Sequence, residues 1–301
     1  TPNFDFVGKR RVAGFVSLVL VVGSIALIAF RGLNMGLDFT GGTLVELEFP
    51  QPAEIATVRE QLAKAGFTEA VVQHFGTSHD VLIRLPATGD TNSASLSTRI
   101  LAALPEAEMR RVEFVGPQVG DELTEQGGLA MLYALIGILI YVAIRFQSKF
   151  APGAVIALVH DVSITLGVFS AAWMEFDLPT LAAILAVIGY SLNDTIVVYD
   201  RIRENFRRMR KSTAEQIVNT SLNQTLSRTL MTSLTTLLVV ACLFFLGGEM
   251  IHDFAAALLI GIVVGTYSSI YVASSITLAL GISKEDLMPV KKEGADLDAL
   301  P

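Results

Sequence analysis

The sequence predicts an α-helical polytopic membrane protein with six transmembrane helices and one small α+β domain between the first two helices. Three observations support this fold class. Of the 301 residues, 52% are hydrophobic and 17% are charged, whereas about 25% of the residues in a soluble globular protein are charged. Several apolar runs approach or exceed the length of about 20 residues that a helix needs to cross a bilayer. One long segment instead alternates apolar and polar residues, which is typical of strands.

Six apolar runs are the candidate transmembrane spans, and they cover residues 12–30, 128–144, 150–173, 179–199, 229–246 and 254–280. Three basic residues precede the first run, as they do in a signal peptide. Its apolar core of 19 residues is longer than a signal-peptide core, so we expect an uncleaved anchor. The spans divide the chain into an N-terminus with span one (1–30), an outer domain (31–127), spans two to six (128–282) and a polar tail that we expect to be disordered (283–301).

The distribution of basic residues predicts the orientation in the membrane. Of the 22 Lys and Arg residues, 15 lie before span one, between spans two and three, between spans four and five, or after span six. Because basic loops stay in the cytoplasm, both termini are expected there and the segment 31–127 on the outer side of the membrane. That segment holds 14 acidic and 7 basic residues and so accounts for the net charge of −7. No basic surface for nucleic acid is expected.

The outer segment alternates strand and helix patterns. TLVELEF (43–49) alternates with a period of two, helical patterns cover 53–67 and 92–104, and AVVQHF, DVLIRL and MRRVEFV are further short strands. The resulting order, βαββαβ, predicts a ferredoxin-like domain. His74 and His79 are interpreted as surface histidines. The segment contains no nucleophile with a base and no metal-binding cluster, so we expect neither catalysis nor a metal site. The single cysteine, Cys242, excludes an intrachain disulfide.

Glycine-rich joints connect the outer domain to the membrane spans. GLDFTGGT (36–43) follows span one, and VGPQVGDEL (115–123) leads back to span two. Glycine permits tight turns and close approach of backbones, so the first joint is interpreted as a turn that feeds the first strand. Both joints are also candidate hinges. The signature and hinge residues are Gly36, Asp38, Gly41, Gly42, Gly116 and Gly120.

Span four contains an acid, Asp194, in the string GYSLNDTIVV. Burying a charge among apolar groups is costly unless the charge is paired or neutralised, and an ionisable residue within a span is a functional hypothesis by default. From position alone, Asp194 is either a proton carrier or an acid in a cytoplasmic vestibule. Arg228, Thr232 and Thr235 follow an i, i+4, i+7 pattern and form a polar stripe at span five, and Thr225, Thr229 and Thr236 extend it.

Other polar and small residues of the membrane spans are secondary candidates. Asp161 and His160 in span three are either a second relay group or a structural pair in which Asp161 bonds to His160 or to hydroxyl groups, and we favour the structural interpretation. Gly261 and Gly265 form a GxxxG pattern that predicts close helix packing. The basic segment 200–228 is interpreted as a cytoplasmic loop and topology signal, in which Ser212 and Glu215 form a capping box for a short helix.

The motifs GLDFTGGT, FVGPQVGDEL, VIALVHD, IGYSLNDTIVVYDRIRENFR and NQTLSRTL, in this order and spacing, resemble the SecF family of bacterial protein-export membrane subunits. The resemblance implies a six-span inner-membrane protein of the resistance-nodulation-division superfamily that forms an obligate complex with SecD. It further implies work beside the SecYEG translocon and the associated YajC, on preproteins at the periplasmic face. The proton motive force would drive late translocation steps, with protons as the coupling ion and no other cofactor.

The resemblance also implies roles for particular residues. The functional Asp of the family matches Asp194 in LNDT, and the functional Arg matches Arg228 in SRTL. The proton-relay candidates are therefore Asp194, Arg228, Asn193 and Thr232, and we expect Asp194 and Arg228 to form a switchable pair between spans four and five.

Three other functions are alternatives to that of a protein-export subunit. Half of a small-molecule or lipid exporter is disfavoured because the outer domain, roughly 95 residues, is small. An intramembrane aspartyl protease is disfavoured because no Gly-x-Gly-Asp string occurs. A scaffold subunit without transport activity remains open.

Overall fold

The computed structural model describes residues 3–86, 93–145, 149–209 and 211–283. Within these residues, six helices are long and apolar enough to cross a membrane. They are α1 (Arg10–Arg31), α5 (Pro117–Arg145), α6 (Ala151–Ala172), α7 (Leu178–Arg208), α8 (Ala214–Leu246) and a sixth span, Met250–Ala279. The sixth span combines α9 (Glu249–Ser268), a π-helical turn (Ser269–Ala273) and α10 (Ser274–Ala279). The predicted disordered tail lies outside the described residues from 284 onward.

The sheet domain, residues 42–115, lies between α1 and α5 in the chain. Its elements are β2 (Gly42–Glu48), α3 (Ile55–Lys64), β3 (Val71–Phe75), β4 (Thr77–Leu85), α4 (Ser93–Ala103) and β5 (Glu108–Val115). They follow one another in the predicted βαββαβ order, and the four strands form an antiparallel sheet in the order β3-β4-β2-β5. The alternation of β2 buries Val45 and Leu47 against α3 and α4, where Leu62 and Ile100 are fully buried. This apolar layer is the core of the domain.

Three short elements connect the sheet domain to the helices. They are β1 (Asn34–Met35), α2 (Leu37–Thr40) and β6 (Glu175–Phe176). Strand β1 follows α1 and pairs in parallel with β6, which lies between α6 and α7. The turn after α1 is thereby fixed to the end of the helical bundle.

The helical bundle has a buried centre and an exposed apolar periphery. Helices α6 and α7 and the sixth span contribute most of the buried residues, whereas α1, α5 and the apolar part of α8 leave large apolar side chains exposed. Phe30 on α1 is 93% exposed and Leu246 on α8 is 83% exposed. A surface of this kind suits contact with lipid or with other helices. The buried centre is therefore the place to look for a functional site.

The helices extend beyond the apolar runs, so several predicted boundaries are wrong. Helix α5 begins at Pro117, and α7 and α8 leave only the residues 209–213 between them. The predicted basic loop 200–228 is thus mostly helix. The sequence did not predict these helix ends because their charged residues add no apolar signal. The predicted capping box and short helix are also wrong. Thr213 has the extended N-cap conformation and exchanges hydrogen bonds with Gln216, and this box begins the 33-residue helix α8.

Candidate functional site

Asp194 lies in the middle of the bundle on α7 and is 7% exposed. Its carboxylate accepts two short hydrogen bonds from hydroxyl groups on other helices. Thr229 on α8 donates to Oδ1 at 2.6 Å, and Ser269 in the π-helical turn donates to Oδ2 at 2.6 Å. Three spans therefore meet at this carboxylate, and a change in its charge acts on all three helices.

The predicted pair between Asp194 and Arg228 is not formed. Within the described residues, no Lys or Arg side chain forms an ion pair with Asp194, although the charge of Arg228 acts on it from a distance. Successive residues of an α-helix point about 100° apart. Because Thr229 points inward to Asp194, its neighbour Arg228 points outward and is exposed. The sequence prediction identified the correct helix, α8, but the wrong residue on it. Thr229, and not Arg228, contacts Asp194.

The remaining predicted relay residues lie on the outer side of the bundle. Asn193 and Arg228 are exposed and line an open groove of about 480 Å³ between α7 and α8. Thr232 is also exposed, and its hydroxyl donates to the carbonyl groups of Arg228 and Thr229 on its own helix. Of the four predicted relay residues, the structure buries only Asp194. The polar stripe is a surface feature of this chain.

A second buried carboxylate, Asp161 on α6, is fully inaccessible. His160 contacts its Oδ1 through Nδ1 at 2.8 Å, while Ser191 and Ser268 donate to Oδ2 at 2.5 and 2.7 Å. The expectation that Asp161 bonds to His160 or to hydroxyl groups agrees with these contacts. His160 Nε2 lies 3.2 Å from Ser17 on α1, so the pair connects spans one, three, four and six.

Ser269 is the functional candidate that sequence reasoning missed, and Thr229 was noted only as an extension of the stripe. Ser268 and Ser269 are consecutive hydroxyl residues within the apolar run of span six. A pair of serines in a span is a weak signal, because serine is common at helix contacts in membranes. Their contact with two different acids depends on the tertiary arrangement, which the sequence alone does not reveal.

Gly261 and Gly265 of span six lie where α9 packs closely against α7, which fits their predicted packing role. A Cβ atom on Gly261 would overlap the side chain of Val187, and one on Gly265 would lie 3.1 Å from Cβ of Ser191. Both neighbours belong to α7. The close approach of α9 to α7 brings Ser268 and Ser269 within reach of the two acids.

The glycine-rich joints form a packed junction between the sheet domain and the bundle. The amide of Gly36 donates to the carbonyl of Phe176 at 2.8 Å, and Asp38 accepts a hydrogen bond from the amide of Leu178 at 3.0 Å. Gly41 and Gly42 have φ of +65° and +125°, values that favour glycine. A Cβ on Gly120 would lie 2.9 Å from the amide nitrogen of Gly41, whereas Gly116 has open space around it. The turn interpretation thus fits, and the hinge role stays a prediction.

Charged groups also cross this junction. Arg84 of β4 forms an ion pair with Glu175 of β6 at 2.6 Å and donates to the carbonyl of Met35 at 3.0 Å. Burial raises the pKa of Glu175 above its usual value, although the charge of Arg84 opposes this shift. Burial likewise raises the pKa of Asp177, which caps the N-terminus of α7. Glu175 and Asp177 therefore keep their protons up to a higher pH than exposed carboxyl groups do.

The site consists of two buried acids, each of which accepts hydrogen bonds from hydroxyl groups on neighbouring helices. Among the described residues, no group of three or more His, Cys, Asp or Glu side chains could hold a metal ion.

The fold and the site together define a polytopic membrane protein with carboxylates at the centre of its helical bundle and a separate α+β domain. Two family models match the chain. "Protein export membrane protein SecD/SecF, C-terminal" covers residues 96–283, and "SecD/SecF GG Motif" covers residues 26–53. The chain belongs to the SecF family.

Relatives of similar length support this membership. The protein translocase subunit SecF of Vibrio alginolyticus is 55% identical, over 99% of this chain and 97% of the relative. The corresponding subunit of Pseudomonas aeruginosa is 50% identical, over 95% of this chain and 94% of the relative.

Two solved structures are similar as well. A crystal structure of SecDF from Thermus, described as a translocon-associated membrane protein, has a TM-score of 0.85 at 43% identity and covers 92% of this chain. SecDF in a super-membrane-facing form has a TM-score of 0.70 at 43% identity and covers 93% of this chain. This chain spans only 38% and 39% of those two SecDF chains.

Proposed function

We propose that this chain is the SecF subunit of a SecDF complex and that it uses the proton motive force to promote late steps of preprotein translocation across the inner membrane. The family membership supports the assignment to protein translocation. The observation that carries the proton role is the burial of Asp194 among hydroxyl donors from two other spans. An acid buried within a membrane span is energetically costly, and such residues usually have a function.

In this proposal, Asp194 takes up a proton and loses its charge, which weakens its hydrogen bonds to Thr229 and Ser269. The three helices that meet at this carboxylate can then shift against one another. Arg228 and Asn193 line the groove next to the acid, where they can attract water or face a partner. No covalent step is needed, so the chain acts as a transport subunit and not as an enzyme.

SecD is the proposed partner within the membrane. The solved SecDF chain is longer than this chain, which spans 38% of it, and this supports SecD as the partner. The exposed stripe of Arg228, Thr232 and Thr235 on α8 is poorly suited to lipid, which supports its burial against a second subunit. SecYEG, YajC and preproteins are further proposed partners, by family resemblance alone.

The sheet domain is proposed to be ferredoxin-like and periplasmic, with both termini in the cytoplasm. The basic residues near the α7–α8 connection support this orientation. With Cys242 replaced by serine, a cysteine at Glu60 should react with an impermeant thiol reagent in intact cells. A cysteine at Ser212 should react only after the membrane is opened, and the reverse pattern would overturn the orientation.

Proton flux into liposomes tests the proposed function. Liposomes that contain the chain with SecD and a translocating preprotein should take up protons when a gradient is imposed. Liposomes with the chain alone, or with an Asp194→Asn variant in the complex, should show only background leak. Equal flux for the wild-type and Asp194→Asn complexes would instead favour a scaffold subunit.

A further inference from the structure

The two buried acids are connected through consecutive residues of span six. Ser268 donates to Asp161 Oδ2 at 2.7 Å, and Ser269 donates to Asp194 Oδ2 at 2.6 Å. Asp161 also accepts a bond of 2.5 Å from Ser191, which precedes Asp194 by three residues on α7. Asp161 thus holds one residue on each of the two helices that carry Asp194 and its donor Ser269.

The backbone of span six is irregular at this point. Directly after Ser268, the α-helix widens into a π-helical turn that covers Ser269–Ala273. A π-helical turn contains about one residue more than an α-helical turn, and such turns are frequent at functional sites. If the turn reverted to α-helix, the residues on one side of it would rotate by about 100° relative to the other side. The position of the Ser269 hydroxyl therefore depends on what keeps the turn in place.

The surroundings of Asp161 suit an anchor. Its carboxylate is fully buried and has three partners, His160, Ser191 and Ser268. His160 is held in turn by Ser17, which lies 3.1 Å from the hydroxyl of Tyr267, and Tyr267 donates to the carbonyl of Ala13 on α1. This network holds Ser268, the residue directly before the π-helical turn.

We propose that Asp161 is a positioning residue for Asp194. It holds Ser268 and Ser191 so that the π-helical turn keeps the Ser269 hydroxyl on the Asp194 carboxylate. The inference rests on the proposed function for its biological meaning, but not for its geometry. A rearrangement at either acid is transmitted to the other through two adjacent serines.

Carbodiimide labelling of Asp194 tests the proposal in the full chain within native membranes. The protonated carboxylic acid adds to a carbodiimide, and a hydroxyl donor favours the carboxylate. Loss of the Ser269 contact should therefore speed the labelling of the peptide that contains Asp194, measured by mass spectrometry at one fixed pH. We expect an increase of about threefold or more, given the usual contribution of one hydrogen bond.

The variants form a double-mutant cycle. Asp161→Leu, which removes the acceptor and keeps the branching of the side chain, and Ser269→Ala should each give this increase, and the double variant should not exceed Ser269→Ala alone. Ser268→Ala removes only the connection and decides the question if Asp161→Leu does not accumulate. Ser170→Ala is the control, because this buried serine of the same helix as Asp161 bonds elsewhere, to the carbonyl of Gly32; its labelling should match the wild type.

Wild-type labelling in Ser269→Ala, or in both Asp161→Leu and Ser268→Ala, would overturn the proposal, and so would effects that simply add. Failure of the proposed function would be seen in a different experiment, as proton flux that the Asp194→Asn complex retains while Asp161 is unchanged. The two results are independent of each other.

Discussion

The sheet domain buries mainly apolar side chains, whereas the helical bundle buries apolar side chains together with two acids. In the sheet domain, Val45, Leu47 and Ile83 are fully buried and the charged residues lie outside. In the bundle, large apolar side chains cover the outside while Asp161 and Asp194 are buried at the centre. Removing apolar surface from water stabilises a fold, whereas lipid provides no such driving force. An acid buried within a membrane span is energetically unfavourable. Apolar burial therefore indicates stability in both regions, and the buried acids indicate function in the second.

The largest expected effect on stability lies in the sheet domain. Leu47→Ala removes a fully buried side chain from the central strand β2 and should cost about 2–5 kcal/mol of unfolding free energy. Hydrogen exchange of the β2 and β4 amides in the intact chain measures this loss. Val71→Ala, at a position that is 57% exposed, is the control and should change stability by about 0.5 kcal/mol or less. Equal losses in the two variants would contradict the assignment of the core.

A smaller effect is expected at the junction between the two regions. Burial raises the pKa of Glu175 above its usual value of 4.5, so the folded chain binds this proton more tightly than the unfolded chain does. Stability should then increase as the pH falls through the raised pKa of the folded chain. The gain should level off below the pKa that Glu175 has in the unfolded chain. Asp177, whose pKa is raised by burial too, adds to the same slope.

Melting temperatures measured from about pH 7.5 down to the usual pKa of Glu, 4.5, give this slope. Glu175→Gln should reduce it, and the double variant Glu175→Gln/Asp177→Asn should remove most of it. Glu60→Gln is a control, because Glu60 is an exposed residue of α3 whose pKa is lowered by Lys64. If Glu175→Gln instead made the chain lose stability mainly at the higher pH, the ion pair with Arg84 would outweigh the cost of burial.

The comparison also explains what the sequence could predict. Period-two alternation is a local signal, so it predicted the order of the strands and helices from Thr43 to Val115. Asp161 and Asp194 could be found because an acid within an apolar run is conspicuous. Helix ends such as Pro117 and Arg208 were missed because polar helical extensions carry no apolar pattern.

The contacts of the acids were the part that could not be predicted. Thr229 and Arg228 are neighbours in the sequence, and only the rotation of α8 decides which of them faces Asp194. A cation is the obvious partner for a buried carboxylate, yet two hydroxyl groups occupy both of its oxygens. The contribution of Ser269 further depends on a π-helical turn, which no periodicity in the sequence announces.

The central claim is that the buried carboxylate of Asp194 couples the proton gradient to export. Asn has nearly the shape of Asp and cannot titrate, so Asp194→Asn should leave the amount of assembled chain unchanged. Asp194→Glu keeps a titratable group and should retain part of the coupling.

The most direct measurement is the rate of preprotein export into inverted membrane vesicles, with and without a proton gradient, when this chain is the SecF supplied. For the wild-type chain, the gradient should accelerate export. For Asp194→Asn, the two rates should be equal, at normal levels of the chain. An undiminished acceleration in Asp194→Asn would show that the acid is structural and would contradict the account.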